Sequence, residues 1–353
     1  MTASCANMMG GKNAPLDEVT DHGGSLASAE RLFPDAPKPW LDLSTGINPH
    51  PYPTGDIPAS AFSRLPEEAR LRELTAAAAY AYGAPSHDLV VAAPGTQILL
   101  PLTASLIPPG RAAIWSPTYA EHRRAAALAG HAVSECADLD QLAAADLAVV
   151  VNPNNPDGRL HERATLLDLA AHLDRKGGLL VVDEAFMDVG PADASLVAEA
   201  ERGGFVVLRS FGKFFGLAGL RLGFAIGPRE LVGRLRARLG PWAVSGPALE
   251  IGIAALSDLE WQDEMRARLA GEAARLDALL ARAGLSVAGG TDLYRFLRTP
   301  DAADIFAHLG RHGILVRSFA HDRQALRFGL PGGDEAFERL ARALAAWRGN
   351  ARR

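Results

Sequence analysis

In the run Arg209-Ser210-Phe211-Gly212-Lys213-Phe214-Phe215-Gly216-Leu217-Ala218-Gly219-Leu220-Arg221, one amine is set among three phenylalanines and a leucine. Burial of an ammonium disfavours its charged form. A neutral lysine amine is a nucleophile suited to a Schiff base with an aldehyde. Ser210 and Arg221, a hydroxyl donor and a cation on either side of Lys213, suit a phosphate. An aldehyde that also carries a phosphate is pyridoxal 5'-phosphate. A lysine in such a run can also lay its stem on aromatics and lift its head into water.

Further segments point the same way. Leu179-Leu180-Val181-Val182-Asp183 reads as a buried strand delivering a carboxylate at its end. Such a carboxylate is costly unless it meets a cation or several donors. The protonated pyridine nitrogen of the cofactor is one such partner, and a helix N-cap is the alternative. Val149-Val150-Val151 runs into Asn152-Pro153-Asn154-Asn155-Pro156-Asp157-Gly158, a turn whose Asn155 amide could reach the cofactor's phenolic oxygen. Gly95-Thr96-Gln97 stands where a strand gives way to a helix, and free amides there favour an anion, although Gly-Thr is also a common cap. Tyr119 follows the next strand, where its ring could stack on the pyridine or pack in the core.

In order, these motifs resemble the fold-type-I pyridoxal-phosphate enzymes of the class I/II aminotransferase superfamily, over about residues 43–330. The resemblance implies a three-layer α/β large domain with a mostly parallel sheet plus a small α+β domain. It assigns the internal linkage to Lys213, the pyridine nitrogen to Asp183, and the cofactor phosphate to Gly95, Thr96, Gln97, Ser210 and Arg221. It gives Tyr119 the ring face and Asn155 the phenolic oxygen. Phe186 departs from a tyrosine common in transaminases three residues after the aspartate, which leaves more of that work to Asn155.

Arg317 and Arg327 lie in short apolar runs near the C-terminus, where a guanidinium needs either a structural salt bridge or a bound anion. By resemblance Arg327 takes the substrate α-carboxylate. Arg317 matches an arginine that takes the substrate's own phosphate in two branches, the histidinol-phosphate aminotransferases and the threonine-phosphate decarboxylases. Asp21-His22-Gly23-Gly24-Ser25 and Ser44-Thr45-Gly46-Ile47-Asn48-Pro49 are similar to the decarboxylase branch, as are Phe186, Met187 and Asp188. That branch implies substrate contacts at His22, Gly23, Gly46 and Asn155. Some relatives carry asparagine at the place of Gly46, so only its backbone can contribute. The implied reaction is decarboxylation of L-threonine O-3-phosphate to (R)-1-amino-2-propanol O-2-phosphate in adenosylcobalamin synthesis. A transaminase on histidinol phosphate is the rival, and a non-catalytic cofactor-binding paralogue a more distant one.

The elements that must position these groups are read from pattern. Strands are predicted over 89–93, 112–115, 147–151, 179–182, 205–208 and 221–226, with helices over 25–33, 119–129 and 163–175. A long helix over 263–283 precedes strands near 293–297 and 326–329 and a helix over 302–312. The expected organisation is a mobile arm over 1–20, a segment 21–45 packing with the small domain, a large cofactor-binding domain over 46–260, and a small domain over 261–353.

The 353 residues are 48% hydrophobic, enough for a sizeable core. A formal net charge of −5 without a basic cluster argues against nucleic acid. No apolar run suits a membrane span or a secretory leader, and two cysteines are too few for a disulfide framework. A cytoplasmic enzyme without a metal is expected, acting on a phosphorylated amino acid. By resemblance it would be a homodimer.

Overall fold

Alternation of short apolar runs with helical segments produces two sheets in the computed structural model, which describes residues 23–347. In chain order the strands are β1 (Leu41–Leu43), β2 (Val90–Ala93), β3 (Arg111–Trp115), β4 (Ala132–Cys136), β5 (Leu147–Val151) and β6 (Leu179–Asp183). They continue as β7 (Phe205–Ser210), β8 (Gly223–Ile226), β9 (Val287–Thr291), β10 (Tyr294–Arg298), β11 (Ile314–Phe319) and β12 (Asp322–Gly329). Among the described residues the larger sheet has the order β2-β8-β7-β6-β5-β3-β4, with β8 alone running against the rest.

Because side chains alternate along a strand, each central strand feeds two cores. Leu147, Val149, Leu179, Val181, Val206 and Leu208 point to one face, covered by the helices Thr96–Ala104, Glu121–Leu128 and Arg229–Leu239. Ala148, Val150, Leu180, Val182, Phe205 and Val207 point to the other, covered by Glu68–Tyr82, Arg163–Asp174 and Gly246–Ser257. The result is three layers, with the loops that carry the predicted site gathered at the C-terminal ends of β2, β3, β5, β6 and β7.

The smaller sheet has the order β1-β11-β12-β10-β9. Its β1 comes from the start of the described chain and pairs in parallel with β11, Leu41 opposite Ile314 and Leu43 opposite Val316. The helices Leu259–Arg282, Ala302–Arg311 and Asp334–Ala346 pack around it.

Several boundaries differ from the sequence reading. The helix after β3 begins at Glu121, so Tyr119 lies in the turn before it. Arg221 is not in β8: it sits in a left-handed turn at φ 55, and the strand starts at Gly223. The long helix begins at Leu259 because the Asp258 side chain accepts the Trp261 amide at 3.1 Å and caps it. Among the described residues, no helix is long and apolar enough to cross a membrane.

Candidate active site

A cavity of about 460 Å³ opens between the two sheets, and its floor carries Lys213. Strand β7 ends at Ser210, and one helical turn, Phe211–Phe214, follows directly. The turn separates the lysine from its aromatic neighbours. Phe211 stacks on Phe215 at 4.3 Å, and Phe215 stacks on Trp261 at 5.7 Å, all on the core side. Lys213 points the other way, with the Phe186 ring 5.9 Å from Nζ. The three phenylalanines thus anchor the turn instead of surrounding the amine. Enclosure lowers the amine to about 8, helped by Arg327 and Arg221 and opposed by Asp183.

Asp183 ends β6 on the cavity side. Its Oδ1 accepts the Ala185 amide at 3.0 Å, and its Oδ2 lies 2.8 Å from Nε2 of His122. His122, from the helix Glu121–Leu128, is 3% exposed. Sequence reading missed it. The available signal was a histidine on the helix face that also buries Ala125 and Ala126.

At one end of the cavity Gly95, Thr96, Ser210 and Arg221 converge. Gly95 has φ +84, and a Cβ there would lie 2.7 Å from Arg221 Nη2. Only glycine satisfies both conditions. Thr96 opens the helix Thr96–Ala104, whose first amides face this end. Gln97 uses its side chain elsewhere: Oε1 accepts the Tyr119 hydroxyl at 3.1 Å, and Nε2 donates to Glu121 at 2.9 Å. That orients the Tyr119 ring over the cavity. Burial, with Glu121 and Asp183 adding to it, pushes the Tyr119 phenol up to about 12.

The other wall comes from the smaller sheet. Arg327, on β12, donates through Nη1 to Asn155 Oδ1 at 2.6 Å and through Nη2 to the Ser44 carbonyl at 2.9 Å. Asn155 therefore turns its amide nitrogen toward the cavity. Arg317, on β11, is the direct cross-strand partner of Arg327, and its guanidinium lies over the Phe319 ring at 5.3 Å. Like charges opposite one another are unfavourable unless an anion joins them. Burial above all pulls Arg327 down to about 10, and Arg317 adds to that.

Gly46 closes the top, where a Cβ would come within 2.9 Å of both the Phe186 and Tyr294 rings. A side chain at this position would displace the rings as they stand. Tyr294 is itself fixed by its hydroxyl bond to the Asn154 carbonyl at 2.7 Å. Gly23 also lines the cavity, and the next amide, Gly24, donates to Ser44 Oγ at 2.7 Å. His22 and the arm over 1–20 lie outside the described residues.

These groups fit pyridoxal phosphate. A cradle that glycine alone permits is ringed by amides, a hydroxyl and a guanidinium, which suits a phosphate. A carboxylate held by a histidine suits a pyridinium nitrogen, and the Lys213 amine has no hydrogen bond or ion pair with the described residues. Among the described residues no cluster of histidine, cysteine and carboxylates is arranged for a metal.

Comparison with known proteins agrees with this geometry. Residues 61–344 match the family model described as aminotransferase class I and II. The chain is 44% identical over 329 residues to the threonine-phosphate decarboxylase of Pseudomonas aeruginosa, covering 92% of this chain and 97% of that one. It is 43% identical over 329 residues to the enzyme of the same name from a Sinorhizobium species, with the same coverage. A solved histidinol-phosphate aminotransferase from Sinorhizobium meliloti, in complex with pyridoxal-5'-phosphate, shares the fold with a TM-score of 0.76. That structure is 22% identical and covers 90% of this chain and 92% of its own.

Proposed function

The chain belongs to the aminotransferase class I and II family, and on that premise we propose that it decarboxylates L-threonine O-3-phosphate to (R)-1-amino-2-propanol O-2-phosphate. The observation that carries the substrate reading is the cross-strand pair Arg317 and Arg327, which answers a substrate with two anionic groups. The 44% identical relative named threonine-phosphate decarboxylase supports decarboxylation over transamination.

Pyridoxal phosphate, when bound, supplies a carbonyl for the amine and a ring that accepts the electron pair released at the substrate Cα. The chain's residues do the rest. Gly95, Thr96, Gln97 (through its backbone), Ser210 and Arg221 hold the cofactor phosphate. Asp183, braced by His122, would keep the pyridine nitrogen protonated. Tyr119 would cover the ring, and the Asn155 amide would serve the phenolic oxygen. Lys213, lowered to about 8, exchanges protons near neutrality, so Nζ can act as nucleophile and then as proton donor to Cα. Arg327 grips the carboxylate, while Arg317, with His22, Gly23 and the Gly46 backbone, grips the phosphate. Holding both ends of the substrate would set which bond at its Cα is labile. For decarboxylation that is the bond to the carboxylate, whose loss as CO₂ is balanced by one proton taken up at Cα.

The reading divides the chain into a cofactor-binding body over 46–260 and a smaller body over 261–353 that the segment 21–45 joins. It places a homodimer in the cytoplasm, with a product used in adenosylcobalamin synthesis. The test is incubation of the cofactor-loaded protein with phosphothreonine, and separately with histidinol phosphate. Stoichiometric CO₂ from phosphothreonine is expected. Conversion of the cofactor to its pyridoxamine form by histidinol phosphate, with no CO₂ from phosphothreonine, would replace this reading with the transaminase. Borohydride reduction followed by peptide mapping should leave the cofactor on Lys213.

A further inference from the structure

We infer that Arg209, Glu184 and Asp188 are positioning residues that fix Asp183, Ser210 and Lys213 relative to one another from the far side of the sheet. The inference rests on the reading that those three residues hold pyridoxal phosphate. Strand geometry sets it up. Asp183 and Ser210 end the neighbouring parallel strands β6 and β7 and face the cavity, so the adjoining residues Glu184 and Arg209 point the opposite way.

There the two side chains meet. Arg209 Nη1 lies 3.1 Å from Glu184 Oε2, and Nη2 lies 3.2 Å from Asp188 Oδ1. The guanidinium also sits 4.4 Å over the Tyr82 ring. Glu184 accepts the Ser195 hydroxyl at 2.6 Å and the Leu196 amide at 2.8 Å. The side chains of Arg209, Glu184 and Asp188 are 6%, 0% and 4% exposed. The network then reaches the third cavity residue. The Asp188 carbonyl accepts Nε of Arg266 at 2.9 Å, and the Arg266 guanidinium lies 5.2 Å from the ring of Phe214, the neighbour of Lys213.

Asp183 and Ser210 are therefore each one peptide unit from a member of this network, and Lys213 is one from Phe214, whose ring the network reaches through Arg266. The planar peptide unit between such neighbours limits how far one can move without the other. Apolar side chains of similar volume would fill the space at no loss of stability, because buried ion pairs seldom outweigh their desolvation. Placement is the property that apolar packing would not supply. Outer partners of a site commonly change its affinity for what it holds by about 10- to 100-fold.

The test uses the full chain with Glu184→Gln and, separately, Asp188→Asn. The dissociation constant of pyridoxal 5'-phosphate is measured by absorbance titration at low temperature, where circular dichroism shows each protein folded. The unfolding midpoint of each cofactor-free protein is recorded beside it. A rise in the dissociation constant of about tenfold or more in the folded protein is expected. A constant within about twofold of the unsubstituted chain, accompanied by a lower midpoint, would make the network purely structural and overturn the inference. If Glu184→Gln does not fold, Asp188→Asn, which keeps the Arg209–Glu184 contact, decides the matter alone. Failure of the unsubstituted chain to bind the cofactor would instead overturn the underlying reading, and the two failures are thereby told apart.

Discussion

Arg209 and Arg327 are almost equally hidden, 5% and 7% exposed, yet they are opposite in kind. Arg209 lies between two carboxylates, Glu184 and Asp188. Burial pulls it down, but those neighbours outweigh burial and leave it above its ordinary range. Among the described residues Arg327 donates to neutral oxygens, those of Asn155 and Ser44, and faces a second arginine across the strand pair. Its shift runs downward. A buried cation already neutralised by the fold belongs to the architecture. One left with neutral partners is suited to an anion from outside.

The contrast breaks most visibly if Arg209→Met is tolerated. Removing that cation leaves two buried carboxylates unpaired, so urea unfolding of the cofactor-free protein should show a loss of about 3–5 kcal/mol. Arg327→Met should do the reverse. Its unfolding free energy should stay within about 1 kcal/mol of the parent, while kcat/KM for phosphothreonine falls about a thousandfold. An equal loss of stability in both variants would erase the distinction.

Lys213 sharpens the comparison as a third cation, one that lines the cavity and has no hydrogen bond or ion pair with the described residues. Its folded-state value of about 8 lies below the ordinary 10.5, so the unfolded chain binds more protons between those values. Stability of the cofactor-free protein should therefore rise with pH across that window, by about 3 kcal/mol in all. In Lys213→Met this rise should be missing, as denaturant titrations at about pH 7.5 and about pH 10.5 would reveal. The smallest effect is expected at Arg317→Gln, whose side chain is only half-buried. KM for phosphothreonine should increase about tenfold with kcat less affected.

Much of the site was legible because it sits at strand ends. Asp183, Asn155 and Ser210 follow apolar runs that end in polar residues, a pattern visible without any tertiary contact. His122 was passed over, since its partner is 61 residues away and its place on the buried helix face fits a packed histidine equally well. The surroundings of Lys213 were misread for a related reason: sequence shows which rings are adjacent, and only the helical turn decides which side they take. In the fold, the helix Glu68–Tyr82 escaped notice because its alanine run offers no apolar stripe, and β4 because its residues are mostly exposed. The roles of Gly46 and of the Arg209 network depend on rings and carboxylates brought in from distant elements.

The pairing of β1 with β11 bears on how the molecule is made. The strand at 41–43 leaves the ribosome early, yet the edge it completes is translated only at 314–319. Throughout that interval its backbone donors and acceptors must rely on water or helper proteins. The sheet wall that carries Arg317 and Arg327 is thus completed only after most of the chain has been made, and a chain truncated before residue 314 would hold Lys213 and Asp183 without those two arginines.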